Sequence, residues 1–541
     1  MKAREKEYKF IYTVLLIIFL SFLAYPIVSL LAKSFQGIDG FTLHNYSEVL
    51  KNEGFVIALK NSIVVSLSAA ACSLGLGFLL AYTLNFTNVW PWLKKTISMI
   101  ASMPMLLPTI TYGFAIIYSF GKQGLLTQLA GFQFFNVYGF GGILMGYIIY
   151  TLPTSFLLLN NAMKQIDKKY LLVSRLMQDH ALRSFFMTIL RPLLATLATC
   201  LIQCFFLSFT DFGIPASVGG RYHVIASLLY SYMLGSIPDF VRGAVVAMMM
   251  LLPSILSIII MQYLQRYQIR YHQVSETILK RNRLRDSLLG ILSSGVCFSL
   301  ISVFAVIFIL PFIRQWPYQI SFSMEHIYAV FKDPQLLHVL KNTLLMAFAS
   351  AMFGTLFTYA AALVSERSHI GKYKCKSLDA LSLITNTIPG MVIGIAYLFI
   401  FSGTPLQNTM PLLIVCNVIH FFSTPYLMLK ESLGKMNASF ETTAKLMGDS
   451  CLQTIVRIIT PNARYSLIEV FSYYFINSAV TVSAIIFIAG AHTMVITTKI
   501  KELQYLAKFN EVFVLSFVLF AVNLTVKYIC ARLARKGKQY E

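Results

Sequence analysis

The chain has 541 residues, of which 57% are hydrophobic and only 12% are charged, a composition outside the range of soluble globular domains. The formal net charge is +22, but the basic residues are spread over short loops instead of forming one patch, which argues against a nucleic-acid partner. The composition therefore predicts an integral membrane protein embedded in lipid.

Apolar runs long enough to cross a bilayer recur along the chain. A spanning helix needs about 20 mostly apolar residues, and continuous apolar runs favour helices over the alternating strands of a membrane barrel. We predict an all-α membrane fold with about twelve spanning helices. They lie at 10–32, 61–84, 97–120, 137–160, 193–213, 241–263, 288–312, 341–364, 378–402, 409–430, 466–489 and 510–531.

The first apolar run follows a basic start, as a secretory signal does. It is long enough to span the membrane, and no A-x-A-like cleavage site follows at Tyr25-Pro26-Ile27, so we predict an uncleaved first helix. With an even number of spans, Lys and Arg are concentrated on the side that holds the N-terminus. Because basic loops stay in the cytoplasm, both termini are expected there.

The third apolar run contains Pro108 and Gly113, and Pro389 and Gly394 repeat that spacing 281 residues later. A proline removes a backbone hydrogen bond, and a glycine allows close helix packing. We therefore expect these four residues at bends that line a substrate pathway, with purely local packing as the alternative.

A short segment at 171–179 lies between the fourth and fifth apolar runs and is expected in the cytoplasm. Pro192 follows it at the start of the fifth run. Its candidate functional residues are Ser174, Leu176, Met177, Gln178 and Asp179.

Asp211 lies near the end of the fifth run and is the acidic residue nearest the outer part of the predicted pathway. An ionisable group at membrane depth is a functional hypothesis by default, and capping of the next helix is an equal alternative. The residue 270 positions later is Thr481, so the second half offers no matching acid.

A basic stretch at 266–287 divides the chain into halves at 1–265 and 288–541, and its charges exclude it from lipid. The halves are related, because Leu59-Lys60-Asn61-Ser62 recurs as Leu340-Lys341-Asn342-Thr343. Each half contains six predicted helices and begins and ends on the same side. We therefore predict two parallel six-helix repeats about an axis along the membrane normal.

The second half contains a counterpart of the 171–179 segment at 440–450. In the first copy the glycine of this counterpart is replaced by Gln178, or by Asp179 if the alignment is counted back from Pro192. The candidate functional residues of the second copy are Glu441, Thr442, Ala444, Leu446, Met447, Gly448 and Asp449.

The second segment resembles the EAA loop of binding-protein-dependent ABC importer permeases. That loop has Glu-Ala-Ala, a glycine a few residues on, and a proline thirteen residues after the glycine, the spacing of Gly448 and Pro461. Glu441-Thr442-Thr443-Ala444 stands where Glu-Glu-Ala-Ala is usual. The run Thr-Asp-Phe-Gly-Ile-Pro at 210–215 looks like an element of fused permeases for ferric iron, thiamine and 2-aminoethylphosphonate. The resemblance covers nearly the whole chain.

This resemblance implies a type I ABC importer permease-like fold in the inner membrane of a bacterium. It implies two cytoplasmic ATPase subunits docked on the two segments and an extracytoplasmic substrate-binding protein, with ferric iron or a small organophosphonate as candidate substrates. The chain has no G-x-x-x-x-G-K-[ST] motif. ATP and Mg are therefore expected on the partner subunits, and this chain is expected to be neither an enzyme nor the holder of a cofactor or metal.

An ion-gradient-driven secondary transporter with the same 6+6 architecture is the alternative function. Such a transporter needs ionisable residues deep inside its helices. Apart from Asp211 and Glu469, both near helix ends, the sequence has few. A membrane protein without any transport path is a third reading.

Overall fold

The computed structural model describes residues 2–37, 40–266, 282–368, 370–437 and 439–538. Within these ranges, eight helices are long and apolar enough to cross a membrane, or up to ten if two bent helix pairs each count as one span. The prediction of an all-α membrane fold is confirmed. Most of the predicted linker at 266–287 lies outside the described residues.

The number of spanning helices is lower than about twelve because two predicted runs are interrupted. The run at 97–120 divides into a helix, a short 3₁₀ turn and a second helix, and the run at 466–489 is helical only as far as Val480. Hydropathy identifies apolar sequence, but it does not show where the backbone stops being helical.

The first repeat is built from fourteen α-helices within the described residues. They are α1 Lys2–Phe19, α2 Tyr25–Ser34, α3 His44–Lys51, α4 Glu53–Phe86, α5 Pro91–Ala101, α6 Thr109–Phe120, α7 Leu125–Ala130, α8 Phe140–Lys164, α9 Lys169–Leu176, α10 Ala181–Phe185, α11 Arg191–Thr210, α12 Gly213–Val218, α13 Ile225–Leu234 and α14 Phe240–Gln265. Short π-helices at Leu20–Ala24 and Phe186–Leu190 and a 3₁₀ turn at Pro104–Leu106 connect some of them.

The second repeat contributes thirteen α-helices to the described part of the chain. They are α15 Arg283–Ile309, α16 Glu325–Lys332, α17 Pro334–Arg367, α18 Lys372–Thr387, α19 Gly390–Phe401, α20 Met410–His420, α21 Ser423–Lys435, α22 Ser439–Leu446, α23 Cys451–Thr454, α24 Thr460–Asn462, α25 Arg464–Val480, α26 Ile496–Tyr505 and α27 Phe509–Lys538. A π-helix lies at Ile455–Ile459, and 3₁₀ turns lie at Leu310–Phe312 and Ala491–Thr493.

A small antiparallel hairpin follows the first long helix of each repeat. In the first repeat, β1 Gln36–Gly37 pairs with β2 Gly40–Phe41, with Gln36 opposite Phe41. In the second, β3 Ile313–Gln315 pairs with β4 Gln319–Phe322, with Ile313 opposite Phe322. The duplication predicted from the sequence therefore extends to these loops.

The described chain packs into two compact units that exchange the first helix of each repeat. The second-repeat unit contains Met1–Val49, Ser231–Leu251 and His326–Glu541, and the first-repeat unit contains Leu50–Tyr230 and Leu252–Glu325. The predicted boundaries at 265 and 288 describe the repeat in the sequence and stay a prediction. The compact units follow side-chain packing instead.

Direct contacts hold each exchanged helix in place. In the second-repeat unit, the rings of Phe19 and Phe422 lie 4.9 Å apart, and the Tyr397 hydroxyl donates to the Phe22 carbonyl at 2.6 Å. In the first-repeat unit, the hydroxyl oxygens of Thr83 and Ser293 lie 2.8 Å apart in the buried contact of α4 with α15. In lipid, such interhelical hydrogen bonds and close packing associate helices without a hydrophobic driving force.

Helices α4 and α8 form the central contact of the first-repeat unit through small residues. Ser73 Oγ lies 2.7 Å from Thr151 Oγ1, and a β-carbon added to Gly77 would lie 2.2 Å from Ser155 Oγ and 3.0 Å from the backbone nitrogen of Phe156. Small side chains let the two backbones approach closely. Glycine at position 77 is thus required by packing.

We expect Gly77→Ala to destabilise the fold and Gly75→Ala to leave it intact. The new methyl group at position 77 would force α4 and α8 apart, at a cost of about 1–3 kcal/mol. At Gly75 nothing lies within 4 Å, and alanine favours a helix over glycine by roughly 0.5–1 kcal/mol. The midpoint of thermal unfolding in detergent measures both effects, and equal midpoints would contradict this packing.

Candidate functional site

The two predicted segments form the same helix-ending turn. Helix α9 ends before Gln178, whose φ is 55°, and α22 ends before Gly448, whose φ is 87°. The amide of Asp179 donates to the Ser174 carbonyl at 3.1 Å, and that of Asp449 donates to the Ala444 carbonyl at 3.0 Å. This is a Schellman closure, in which one left-handed residue reverses the chain after a helix.

The shared turn shows which residue of the first segment aligns with Gly448, a question that the sequence left open. Gln178 takes the backbone position of Gly448, and Asp179 therefore takes that of Asp449. The alternative counted from Pro192 arose because α10 has five residues whereas its counterpart α23 has four. The additional residue lies after the turn and leaves the segment itself unchanged.

Both segments present the same pair of large apolar side chains. Leu176 and Met177 are 83% and 71% exposed, and Leu446 and Met447 are 84% and 80% exposed. Ser174 and Ala444 are buried at equivalent positions, and Gln178, Gly448 and Thr442 are exposed. Each segment thus has a small residue against its own unit and an apolar pair on its surface.

Polar side chains fix the turn differently in the two copies. In the first, Ser174 Oγ donates to Asp179 Oδ2 at 2.9 Å, and Arg183 Nε lies 3.5 Å from Asp179 Oδ1. In the second, Arg457 Nη1 lies 3.9 Å from Asp449 Oδ1. Exposed ion pairs of this kind contribute about 0–1 kcal/mol, so the backbone closure defines the shape.

Each segment joins its long helix through a π-helix. The π-helix at Phe186–Leu190 precedes Pro192 near the start of α11, and that at Ile455–Ile459 precedes Pro461. Because a proline has no amide hydrogen to donate, it accommodates a change in the hydrogen-bond pattern at this place. After the turn at Gln178, α10, the π-helix and α11 therefore form one uninterrupted helical stretch; after the turn at Gly448, α23, the π-helix and α24 form a second one, which Ala463 separates from α25.

The third-run prolines mark breaks between helices. Pro108 lies immediately before α6 and Pro389 immediately before α19, both with ψ near 144°. Helices α18 and α19 meet at 98°. The two prolines therefore begin new helices, whereas the sequence predicts bends within single spanning runs.

The two glycines of these helices allow close packing on the segment that follows the fifth long helix. A β-carbon on Gly113 would lie 1.7 Å from Ser217 Oγ, and one on Gly394 would lie 2.3 Å from the Ala484 carbonyl oxygen. The geometry favours the local-packing alternative for both glycines. Their part in a substrate pathway stays a prediction.

Asp211 is only 7% exposed, and its Oδ2 accepts a hydrogen bond of 2.9 Å from the amide of Ile214 in α12. This contact satisfies a free amide at the start of a helix. The capping alternative therefore has a direct structural basis, and a contact of Asp211 with substrate stays a prediction.

One residue that the sequence gave no reason to single out contacts the second segment. Arg367, the last residue of α17, has its Nη1 3.6 Å from Glu441 Oε1, and the two side chains are 7% and 22% exposed. The partners are 74 positions apart in sequence, and no local pattern connects them. A basic residue at the end of a spanning run was the one available signal.

Known proteins resemble this chain over most of its length. The family model described as binding-protein-dependent transport system inner membrane component matches residues 55–270 and 354–538. A ferric transport system permease protein of Actinobacillus pleuropneumoniae is 26% identical over 510 residues, covering 90% of this chain and 72% of the relative. The two separate matches to one family model confirm the predicted duplication.

Two further relatives differ in how much of the chain they match. A protein of Haemophilus influenzae whose name assigns it to ferric transport as a permease is 27% identical over 504 residues, which is 89% of this chain and 78% of the relative. A Salmonella typhi protein assigned to 2-aminoethylphosphonate transport as a permease is 26% identical over 216 residues, which is 38% of this chain and 74% of the relative.

Exchanging glycine at the turn should change the local stability of the two segments in opposite directions. Gly448→Ala places a β-carbon at a left-handed position and Gln178→Gly removes one, and each change is worth about 1 kcal/mol. Amide hydrogen exchange should become about fivefold faster across 439–449 in the first variant and about fivefold slower across 169–179 in the second. Unchanged exchange in both segments would contradict the assigned turn.

Proposed function

The chain belongs to the binding-protein-dependent transport system inner membrane component family, and on that premise we propose that its two exposed segments couple substrate movement to ATP hydrolysis by separate subunits. Membership makes the protein a multi-pass inner membrane permease of an ABC importer. The family match favours an ATP-driven permease over the ion-gradient-driven alternative.

The observation that carries the coupling proposal is the identical presentation of Leu176-Met177 and Leu446-Met447. An apolar pair that is more than two-thirds exposed on a short helix is suited to insertion into a groove of a soluble partner. Because the two segments share backbone and side-chain exposure, they fit two copies of the same partner. Two identical ATPase subunits, which would hold the ATP and Mg, meet this requirement.

The hydrogen-bonded turn after each segment explains how a docked partner would move the membrane helices. A shift of α9 would pass through the turn at Gln178 to α10, the π-helix and α11, and a shift of α22 would pass through the turn at Gly448 toward α25. To change the ratio of inward-open to outward-open permease from 1:99 to 99:1, a partner must bind one state more tightly than the other by about 5.5 kcal/mol. Nucleotide-driven closure of two ATPases on two segments is a suitable source of that free energy.

Ferric iron is the substrate that the comparisons support best. The two ferric relatives match about nine-tenths of this chain, whereas the 2-aminoethylphosphonate relative matches 38%. An external substrate-binding protein would deliver the iron, which is cargo and not a resident metal. Within the described residues, no group of three or more His, Cys, Asp or Glu side chains is placed to hold a metal ion.

Placing charge on the apolar pairs should release the ATPase subunits. Burial of each such side chain is worth about 1.5–3 kcal/mol, so Leu446→Glu with Met447→Glu should weaken binding at that segment at least about tenfold. Leu176→Glu with Met177→Glu should weaken ATPase binding at the first segment by the same factor. Binding of purified ATPase to the detergent-solubilised chain, measured by surface plasmon resonance, gives the two affinities.

Tyr373→Glu is the matched control for this measurement. Tyr373 is 91% exposed but lies on α18, outside both segments, so its replacement should leave the affinity unchanged. The coupling proposal fails if the chain with all four substitutions binds ATPase as well as the unaltered chain does.

Transport in proteoliposomes tests the substrate. The chain, its ATPase and its substrate-binding protein should import iron supplied as ferric ion on that binding protein, with ATP inside. Labelled 2-aminoethylphosphonate should stay outside. Import of the phosphonate without import of iron would overturn the iron assignment and leave the ATPase-coupling proposal standing.

A further inference from the structure

Arg367 connects three elements of the second-repeat unit. It is the last residue of α17, its Nη2 donates to the carbonyls of Leu433 at 2.6 Å and Met436 at 2.9 Å, and its Nη1 faces Glu441 of α22. The two carbonyls lie at the C-terminal end of α21, where helix carbonyls lack partners and a positive charge is favourable. One nearly buried guanidinium thus holds two long helices and the second segment together.

A second group of charges reinforces the same ends of α17 and α21. Lys430 Nζ of α21 lies 3.6 Å from Glu366 Oε1 of α17 and also pairs with Asp379 of α18. The Tyr426 hydroxyl donates to Asp379 Oδ1 at 2.8 Å. The residues next to Arg367 in space are therefore joined by ion pairs as well.

The first repeat has uncharged residues at every equivalent position. Glu366 and Lys430 correspond to Asn85 and Asn160, by offsets of 281 and 270 residues. Asn85 Nδ2 donates to Asn160 Oδ1 at 2.8 Å, so the same two positions meet in both units. This contact verifies the alignment of the two helix ends.

By the same alignment, Arg367 and its charged partner Glu441 are replaced by apolar side chains. Phe86 takes the position of Arg367 and Leu171 that of Glu441, and Ile166 stands at the position of Met436. Phe86 and Ile166 are 1% and 3% exposed. The first repeat thus has no charge pair at the positions of Arg367 and Glu441, whereas in the second repeat charge attracts the segment to a guanidinium that is hydrogen-bonded to α21.

We propose that Arg367 is a positioning residue that holds the second segment to α17 and α21, and that the two segments consequently transmit force unequally. Hydrogen bonds to two carbonyls fix the direction of the guanidinium on α21, and its charge then attracts the Glu441 carboxylate at 3.6 Å. Because its partners are largely buried, loss of Arg367 leaves unpaired groups that local adjustment does not replace. The functional consequence rests on the coupling proposed above.

Hydrogen exchange on the purified full chain tests the positioning without any partner. Arg367→Lys keeps the positive charge but loses the planar guanidinium with its several N–H donors. Glu441→Gln keeps both hydrogen bonds from Arg367 to α21 and removes the carboxylate charge. Both variants should raise exchange in 439–446 severalfold and leave 169–176 unchanged. Phe86→Met is the matched change in the first repeat and should not affect 439–446. Equal exchange in 439–446 for all three variants and the unaltered chain overturns the proposal.

The assembled complex tests the consequence for coupling. With Arg367→Met, ATPase subunits should stay bound at full stoichiometry while substrate imported per ATP hydrolysed falls at least roughly tenfold; Arg367→Lys should restore part of it, and Phe86→Met should stay within about twofold of the unaltered complex. Equal ratios for Arg367→Met and Phe86→Met overturn the unequal transmission.

Glu441→Gln replaces Arg367→Met in this assay if the latter does not fold. With Glu441→Gln, the amount of substrate imported per ATP hydrolysed should fall about threefold or more. A value equal to that of the unaltered complex counts against the proposal. Failure of the function proposed above has a separate signature: ATPase remains bound when both apolar pairs carry charge. In that case the hydrogen-exchange comparison still decides whether Arg367 positions the segment.

Discussion

A backbone closure determines which side chains the two segments expose. One amide, that of Asp179 or Asp449, reaches back to the carbonyl of Ser174 or Ala444 and can do so because the intervening residue, Gln178 or Gly448, has a positive φ. The closure directs Leu-Met outward and the small residue inward. Without it, the two segments would be ordinary amphipathic helices with no common shape, and a pair of identical partners would have no matching surfaces.

Much of the architecture follows from composition and spacing. Helices are the consequence of placing backbone amides and carbonyls in lipid, where nothing else satisfies them, and the repeat is visible because Leu59–Ser62 and Leu340–Thr343 retain nearly the same letters. The second segment was recognisable from Gly448 and Pro461. Leu446 and Met447 are among its candidate residues in the sequence, and the structure adds that both are exposed while Ala444 is buried.

Other features depend on contacts that no local pattern contains. The first segment could not be aligned because Gln178 adopts a backbone conformation that favours glycine, and because the additional residue in α10 displaces Pro192. Hydropathy could not show that Pro108 and Pro389 separate helices. The exchange of first helices depends on contacts such as Phe19 with Phe422, between residues hundreds of positions apart.

The two repeats share the exposed apolar pair that we propose as the docking surface, and they differ in the residues behind it. Both expose the same apolar pair, yet charges join the helix ends beside one segment, whereas Asn85 and Phe86 stand at the equivalent positions beside the other. A fused chain permits this, because each segment has its own sequence even where the partner subunits are identical. Equal docking and unequal transmission are therefore compatible in one polypeptide.

The central claim is that the two segments are the docking points for two ATPase subunits. Cross-linking within the assembled complex tests it. Met177→Cys and Met447→Cys are introduced singly into a chain whose eight native cysteines have been replaced. Each cysteine should trap one ATPase subunit, and the doubly substituted chain should trap two. Absence of cross-links at both positions, with ATPase trapped instead from an exposed site such as Tyr373→Cys, would contradict the account.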